Sequence, residues 1–271
     1  MAERLRLYPE ILELLEEHEI GYHSSSHSVH PAIFEFADVA RYDDAYRISI
    51  LRETSHVNPL TGEIEGKGGI FALRKLFPSK QITAFRAPGF CWSPPHLEAL
   101  RDLGIKFDFS SAFLSIPVCY KGLTFYPLPA MNNWHGKTLD YRDFLLSILR
   151  NRITVADLHP SLFVNQDDWD SIYHKGNPKQ IVYPLPRREV EIESLFHGFD
   201  SFLKGVKYLE NARLIDACPN LIESDKNLVV TKKAVAESYE ISINWAKRFF
   251  KYKPQYLRNH FLGFFDACLF G

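Results

Sequence analysis

Helix-like and strand-like segments take turns along most of this chain, and that alternation limits its fold more than any single motif does. Leu5, Ile11, Leu12, Leu14 and Leu15 recur near helical spacing with glutamates on the other face, and "EIGYH" (19–23) then reads as a short strand. "GIFALRKLFP" (69–78) predicts an amphipathic helix stopped by Pro78, and "QITAFRAPGF" (81–90) a strand running into a Pro-Gly loop. "SPPHLEALRDLG" (93–104) carries full helix punctuation: Ser93 to cap, Pro94 in the first turn, Gly104 to close. A strand in "IKFDFSSAF" (105–113), an extended piece in "YKGLTFYPLPA" (120–130), a helix over 138–152 and a strand over 153–160 follow. A long helix over 191–212 and a short strand over 213–217 complete the series, while residues 38–68 read as polar, with a turn signal at "NPLTGE". Connections too long for hairpins argue for parallel strands joined by crossover helices, in an open sheet or a barrel.

In such folds chemistry gathers where strands end. Four strand ends here carry polar side chains of catalytic type: His23 and His27 after the first, Arg86, Asp108 and His159 after later ones. Their recurrence at equivalent positions predicts one site assembled from several strands.

His23 and His27 stand four apart across three serines, in a chain with 11 histidines among 271 residues. That spacing lets two imidazoles face one metal ion, and small serines let the backbone wrap closely. His18 and His30 read as solvent-facing or supporting residues. Arg86 can hold a carboxylate through two parallel hydrogen bonds. The Pro88-Gly89 turn can aim amides at a developing oxyanion. Asp108 reads either as a turn residue or as the group that orients a histidine, with Asp157 as a rival, and His159 either as a core imidazole or as a general acid. Phe90, Trp92, Trp134 and Trp169 fit a sugar-binding groove or, more plainly, core packing.

Other chemistries lack their signatures. No phosphate-binding glycine loop or G-x-S-x-G elbow occurs. Cys91, Cys119, Cys218 and Cys268 form no C-x-x-C pair, so they read as reduced thiols. A net charge of −1 draws the chain toward neither nucleic acid nor acidic lipid. No run reaches the roughly 20 apolar residues of a membrane span, and the charged N-terminus lacks a secretory core, which places the expected site of action in the cytoplasm. Residues 223–271, aromatic and basic and then apolar, read as a helical extension of a domain spanning 1–222.

Taken in order, "HEIGYHSSSH" (18–27), "FRAPGFCWSPPHLEALRDLGIKFDFSS" (85–111) and "DLHP" (157–160) resemble the polysaccharide deacetylase superfamily, the NodB-homology domain of carbohydrate esterase family four. The resemblance runs over about residues 5–217. It implies a distorted (β/α) barrel of about seven strands and a divalent metal, usually zinc. By resemblance, His23 and His27 are metal ligands, Arg86 holds the catalytic base, and the Gly89 amide helps form the oxyanion hole. Asp108 then tunes an acid histidine, His159, and Phe90 and Trp92 border the carbohydrate substrate. The family's Thr-Phe-Asp-Asp motif, which supplies the base and a third metal ligand, belongs on a strand before residue 5 and is not in this sequence. Asp43 and Asp44 lie in the wrong region to replace it. Three functions are therefore expected: removal of N-acetyl groups from a sugar or surface glycan, hydrolysis of small non-sugar amides, or binding of a glycan or partner without turnover.

Overall fold

The structure, a computed structural model, describes residues 5–27, 29–58, 61–111, 117–127, 158–167, 184–207, 228–249 and 251–261. The expected helix over 138–152, the strand over 213–217, and Trp134, Asp157, Trp169, Cys218 and Cys268 lie outside these residues.

A mixed α/β architecture is observed. Helix α1 (Pro9–Leu15) precedes Tyr22, which bridges in parallel to Phe85. Short α2 (Ile33–Phe36) leads to α3 (Tyr42–Glu53) and a small hairpin of β1 (Ser55–Val57) and β2 (Ile64–Lys67). Then come α4 (Ile70–Leu76), β3 (Ala84–Phe85), a tight turn at Pro88–Phe90, α5 (Pro94–Asp102), β4 (Phe107–Ser111), β5 (Val118–Tyr120) and β6 (Leu123–Pro127). Farther along lie α6 (Ser161–Val164), α7 (Glu189–Lys207) and α8 (Leu228–Phe249).

The main sheet has the order β3-β4-β6-β5. β3 and β4 are parallel, as are β4 and β6, and β5 returns antiparallel to β6. Among the described residues the sheet does not close into a barrel. Two connections are hairpins, contrary to the expectation of crossovers throughout. At β5–β6 the reason is local: Lys121 (φ 53°) and Gly122 (φ 80°) form a two-residue turn whose left-handed backbone matches strand twist.

Helix α3 was not expected from the polar reading of 38–68. Its buried positions, Ala45, Ser49, Arg52 and Glu53, keep helical spacing but are small or charged, so no apolar stripe announces them. Its inner face packs on α5. The main core joins Ile33, Phe34 and Ile70 to Phe85, Leu97 and Leu100. Val235 and Ile243 of α8, with Leu257 and Phe261, belong to the same core. The extension thus packs against the sheet's partners; Ser242 Oγ donates to the Phe90 carbonyl at 2.9 Å, and the Ser111 and Ser238 hydroxyls meet at 2.7 Å.

Candidate functional site

Strand register places the expected residues side by side. Tyr22 pairs with Phe85, Phe85 with Asp108, and Asp108 with Phe125, so one row runs across four parallel segments. Tyr22, Phe85 and Phe125 are buried with Asp108. The next residues on the first two segments are His23 and Arg86, and both leave the sheet at one edge.

His23 is fixed by backbone. Its Nδ1 lies 2.5 Å from the Arg86 carbonyl oxygen. A carbonyl only accepts, so Nδ1 carries the hydrogen, and in the neutral ring Nε2 keeps the lone pair that a metal requires. This is the support that ligating histidines usually have, a backbone acceptor on the far nitrogen that sets the tautomer. The His27 ring stands edge-on to His23 with centroids 4.8 Å apart. The loop between them is bent sharply: Ser24 has φ 62° and His27 φ 47°, left-handed values that are uncommon outside glycine. The two imidazoles therefore fit part of a zinc donor set. Among the described residues no cluster of three or more His, Cys, Asp or Glu could hold a metal.

The loop rests on a group that sequence reasoning missed. Glu53, at the end of α3, has a fully buried side chain. It accepts hydrogen bonds from Tyr22 OH (2.5 Å), Ser24 Oγ (2.8 Å), the Ser25 amide (3.0 Å) and His96 Nε2 (2.9 Å). Burial pushes the Glu53 carboxyl up, but the hydrogen bond and charge of His96, with those from Tyr22 and Ser25, outweigh it and hold the group below its ordinary value. The Tyr22 phenol moves well up, through burial first and then the adjacent carboxylate. No local signal marked Glu53, because α3 itself carries no apolar stripe that would have placed it at a helix end.

Asp108 is completely buried. Its Oδ1 accepts from the Ser110 amide at 2.7 Å, while Oδ2 has no hydrogen-bond partner among the described residues. Burial pushes this carboxyl up to about 7, against the pull of Ser110. The Ser110 hydroxyl in turn accepts from the Ala87 amide at 2.7 Å, which ties β4 to the loop after Arg86.

That loop turns through Gly89 (φ 57°) and Phe90 (φ 57°), and the Arg86 guanidinium lies over the Phe90 ring at 5.8 Å. Trp92, expected to border substrate, is 1% exposed and packs its ring on Tyr120, Phe125 and Phe261. A ring so enclosed offers no face to a groove; it serves the core. His159 is half-buried just before α6, and its carbonyl accepts from the Leu162 amide at 2.9 Å. His30, by contrast, is bound to Glu35 at 2.8 Å and its pKa is raised by that hydrogen bond. Asp43 and Asp44 occupy the first turn of α3, where Asp44 pairs with Arg41 and Arg47. The structure thus brings His23, His27 and Arg86 together and sets Asp108 in the neighbouring sheet row.

Compared with protein-family profiles, curated proteins and solved structures, the chain gives no match. No helix among the described residues is long and apolar enough to cross a membrane.

Proposed function

We propose that this chain is a metal-dependent hydrolase that removes N-acetyl groups from a sugar or surface-glycan intermediate, and that its sheet is one wall of a distorted (β/α) barrel. The observation that carries this reading is the His23–Arg86 contact at the shared strand edge, with the second imidazole 4.8 Å from the first. It prepares a ring nitrogen for a cation at the position where α/β folds keep their chemistry.

In this reading His23 and His27 hold zinc. The metal, when bound, polarises the acetamide carbonyl and acidifies water. The chain's own groups would supply part of the rest. Arg86 would orient the carboxylate that takes the water proton, a base the family draws from its Asp-Asp motif and this sequence does not contain, and the Gly89 amide would donate to the oxyanion as the carbonyl becomes tetrahedral. His159 delivers a proton to the departing amine. By the resemblance alone, Asp108 would be the group that tunes that histidine.

Acetate release should be measured with zinc present, from a panel of N-acetyl sugars and from small cyclic amides. Release from an acetylated sugar, abolished by His23→Ala, is expected. Turnover of the amides alone would shift the substrate class to non-sugar amides. Zinc bound in stoichiometric amount with no turnover of either would leave a glycan- or partner-binding protein.

A further inference from the structure

Beneath the loop from His23 to His27 lies a carboxylate to which none of the chemistry above gives a part. Glu53 gathers four donors within 3.0 Å, and three of them belong to residues 22, 24 and 25. We propose that Glu53 is the positioning residue of this site: through Tyr22, Ser24 and Ser25 it holds His23 and His27 in the pose where both imidazoles serve one cation, without touching that cation itself. The identity of the ligand rests on the metal reading above; the positioning role does not.

The loop needs such a support. Left-handed backbone at Ser24 and His27 is strained for residues other than glycine and persists only when surroundings over-determine it. Three consecutive serines bring no apolar anchor of their own. What replaces it is polar and comes from one place, the junction of α3 and β1: Glu53 takes Ser24 and Ser25, and the Ser55 carbonyl takes the Ser25 hydroxyl at 2.6 Å. From the other side the Arg86 carbonyl fixes the His23 ring. The loop is clamped at both faces.

The chemistry of the anchor is also specific. All four partners are donors, so the anchor must accept everywhere, which an ionised carboxylate does with two oxygens and about four lone-pair positions. A glutamine would turn an NH2 group toward at least one donor. His96 supplies the remaining hydrogen bond from α5, both side chains being wholly buried. The α3–α5 packing therefore sets where the loop sits.

The test uses the full chain and three variants: Glu53→Gln, Ser24→Ala and, as the control, His23→Ala. Zinc affinity of the folded protein is measured by competition with a chromogenic chelator. Exchange of the His23 Nδ1 proton is followed by NMR of histidine-labelled protein, and the thermal midpoint is recorded beside them. Loss of a supporting partner typically weakens metal binding by about 10- to 100-fold. Glu53→Gln is expected to fall in that range and Ser24→Ala to lose several-fold, with the His23 proton exchanging about tenfold faster in both. His23→Ala should bind no zinc. A lowered midpoint with unchanged zinc affinity and unchanged proton exchange would make Glu53 an ordinary core ion and overturn the proposal. If the unaltered chain binds no zinc, the metal reading fails, and the exchange rates alone decide the positioning role. Ser24→Ala removes one of the four donors, so it carries the same comparison should Glu53→Gln not fold.

Discussion

Burial of Asp108 has a sign that can be measured. Its folded-state carboxyl is pushed up to about 7, while an unfolded chain releases that proton near pH ~4. Between those values the folded state binds more protons than the unfolded one, so stability falls as pH rises and stays low above about 7. Asp108→Asn is neutral at every pH. It is expected to match the unaltered protein at pH 4 and to exceed it at pH 8 by up to about 4 kcal/mol, read by urea denaturation at both pH values. A pH-independent difference would remove Asp108 as a buried titrating group. Of the candidate site residues, His23 and Arg86 were legible because each follows a strand-like segment, whereas Asp108, expected at a strand end, is the second residue of β4. Glu53 and His96 were not legible. Their meaning is a contact across 43 residues, and nothing local marks it.

At the level of elements, the junction where α3 gives way to β1 carries the most weight. Gly69 opens α4 with φ 56°, and a Cβ there would stand 2.1 Å from the Glu53 carbonyl oxygen. Gly66 also has positive φ (79°), but a Cβ there meets no atom within 4 Å among the described residues. Gly66→Ala should therefore cost only backbone strain, about 1 kcal/mol, and Gly69→Ala clearly more, above about 2 kcal/mol. Equal costs in a denaturation series would mean that the close approach of α4 to Glu53 does not constrain the fold. The punctuated elements were readable in advance: α5 runs Pro94–Asp102 with Pro94 in its first turn and Gly104 just past its end as predicted, although the Ser93 hydroxyl at its start makes no capping hydrogen bond among the described residues. Helix α3 escaped because Ser49, Arg52 and Glu53 occupy its inner face, where apolar residues would have betrayed it.

Across the whole molecule, Asp38 joins the two ends of the described chain. Its carboxylate accepts from Tyr252 OH (2.7 Å) and from the amides of Gln255 (2.8 Å), Tyr256 (2.6 Å) and Leu257 (2.8 Å), and so caps the helical turn over 257–261. His260 Nε2 adds a hydrogen bond to the Val39 carbonyl at 2.8 Å. Asp38→Ala leaves those amides without their acceptor and should cost about 2–4 kcal/mol. Trypsin should then cut after Lys251 in the otherwise native protein, Lys253 being shielded by the following Pro254. Resistance equal to that of the unaltered chain would show that apolar packing of Leu257 and Phe261 suffices.

What the sequence determined alone is whatever a single segment can encode: helix and strand type where apolar periodicity and turn residues agree, the parallel run of the central strands, and the place of His23 and Arg86 just after extended segments. What only the tertiary structure decided is which distant groups answer one another: Glu53 beneath the serine loop, Trp92 turned into the core, α8 laid against the sheet, Asp38 holding the C-terminal turn. The reason is physical. Periodicity records which face of an element avoids water, while a buried hydrogen bond between remote residues has no period and appears only when both partners have been brought out of water together.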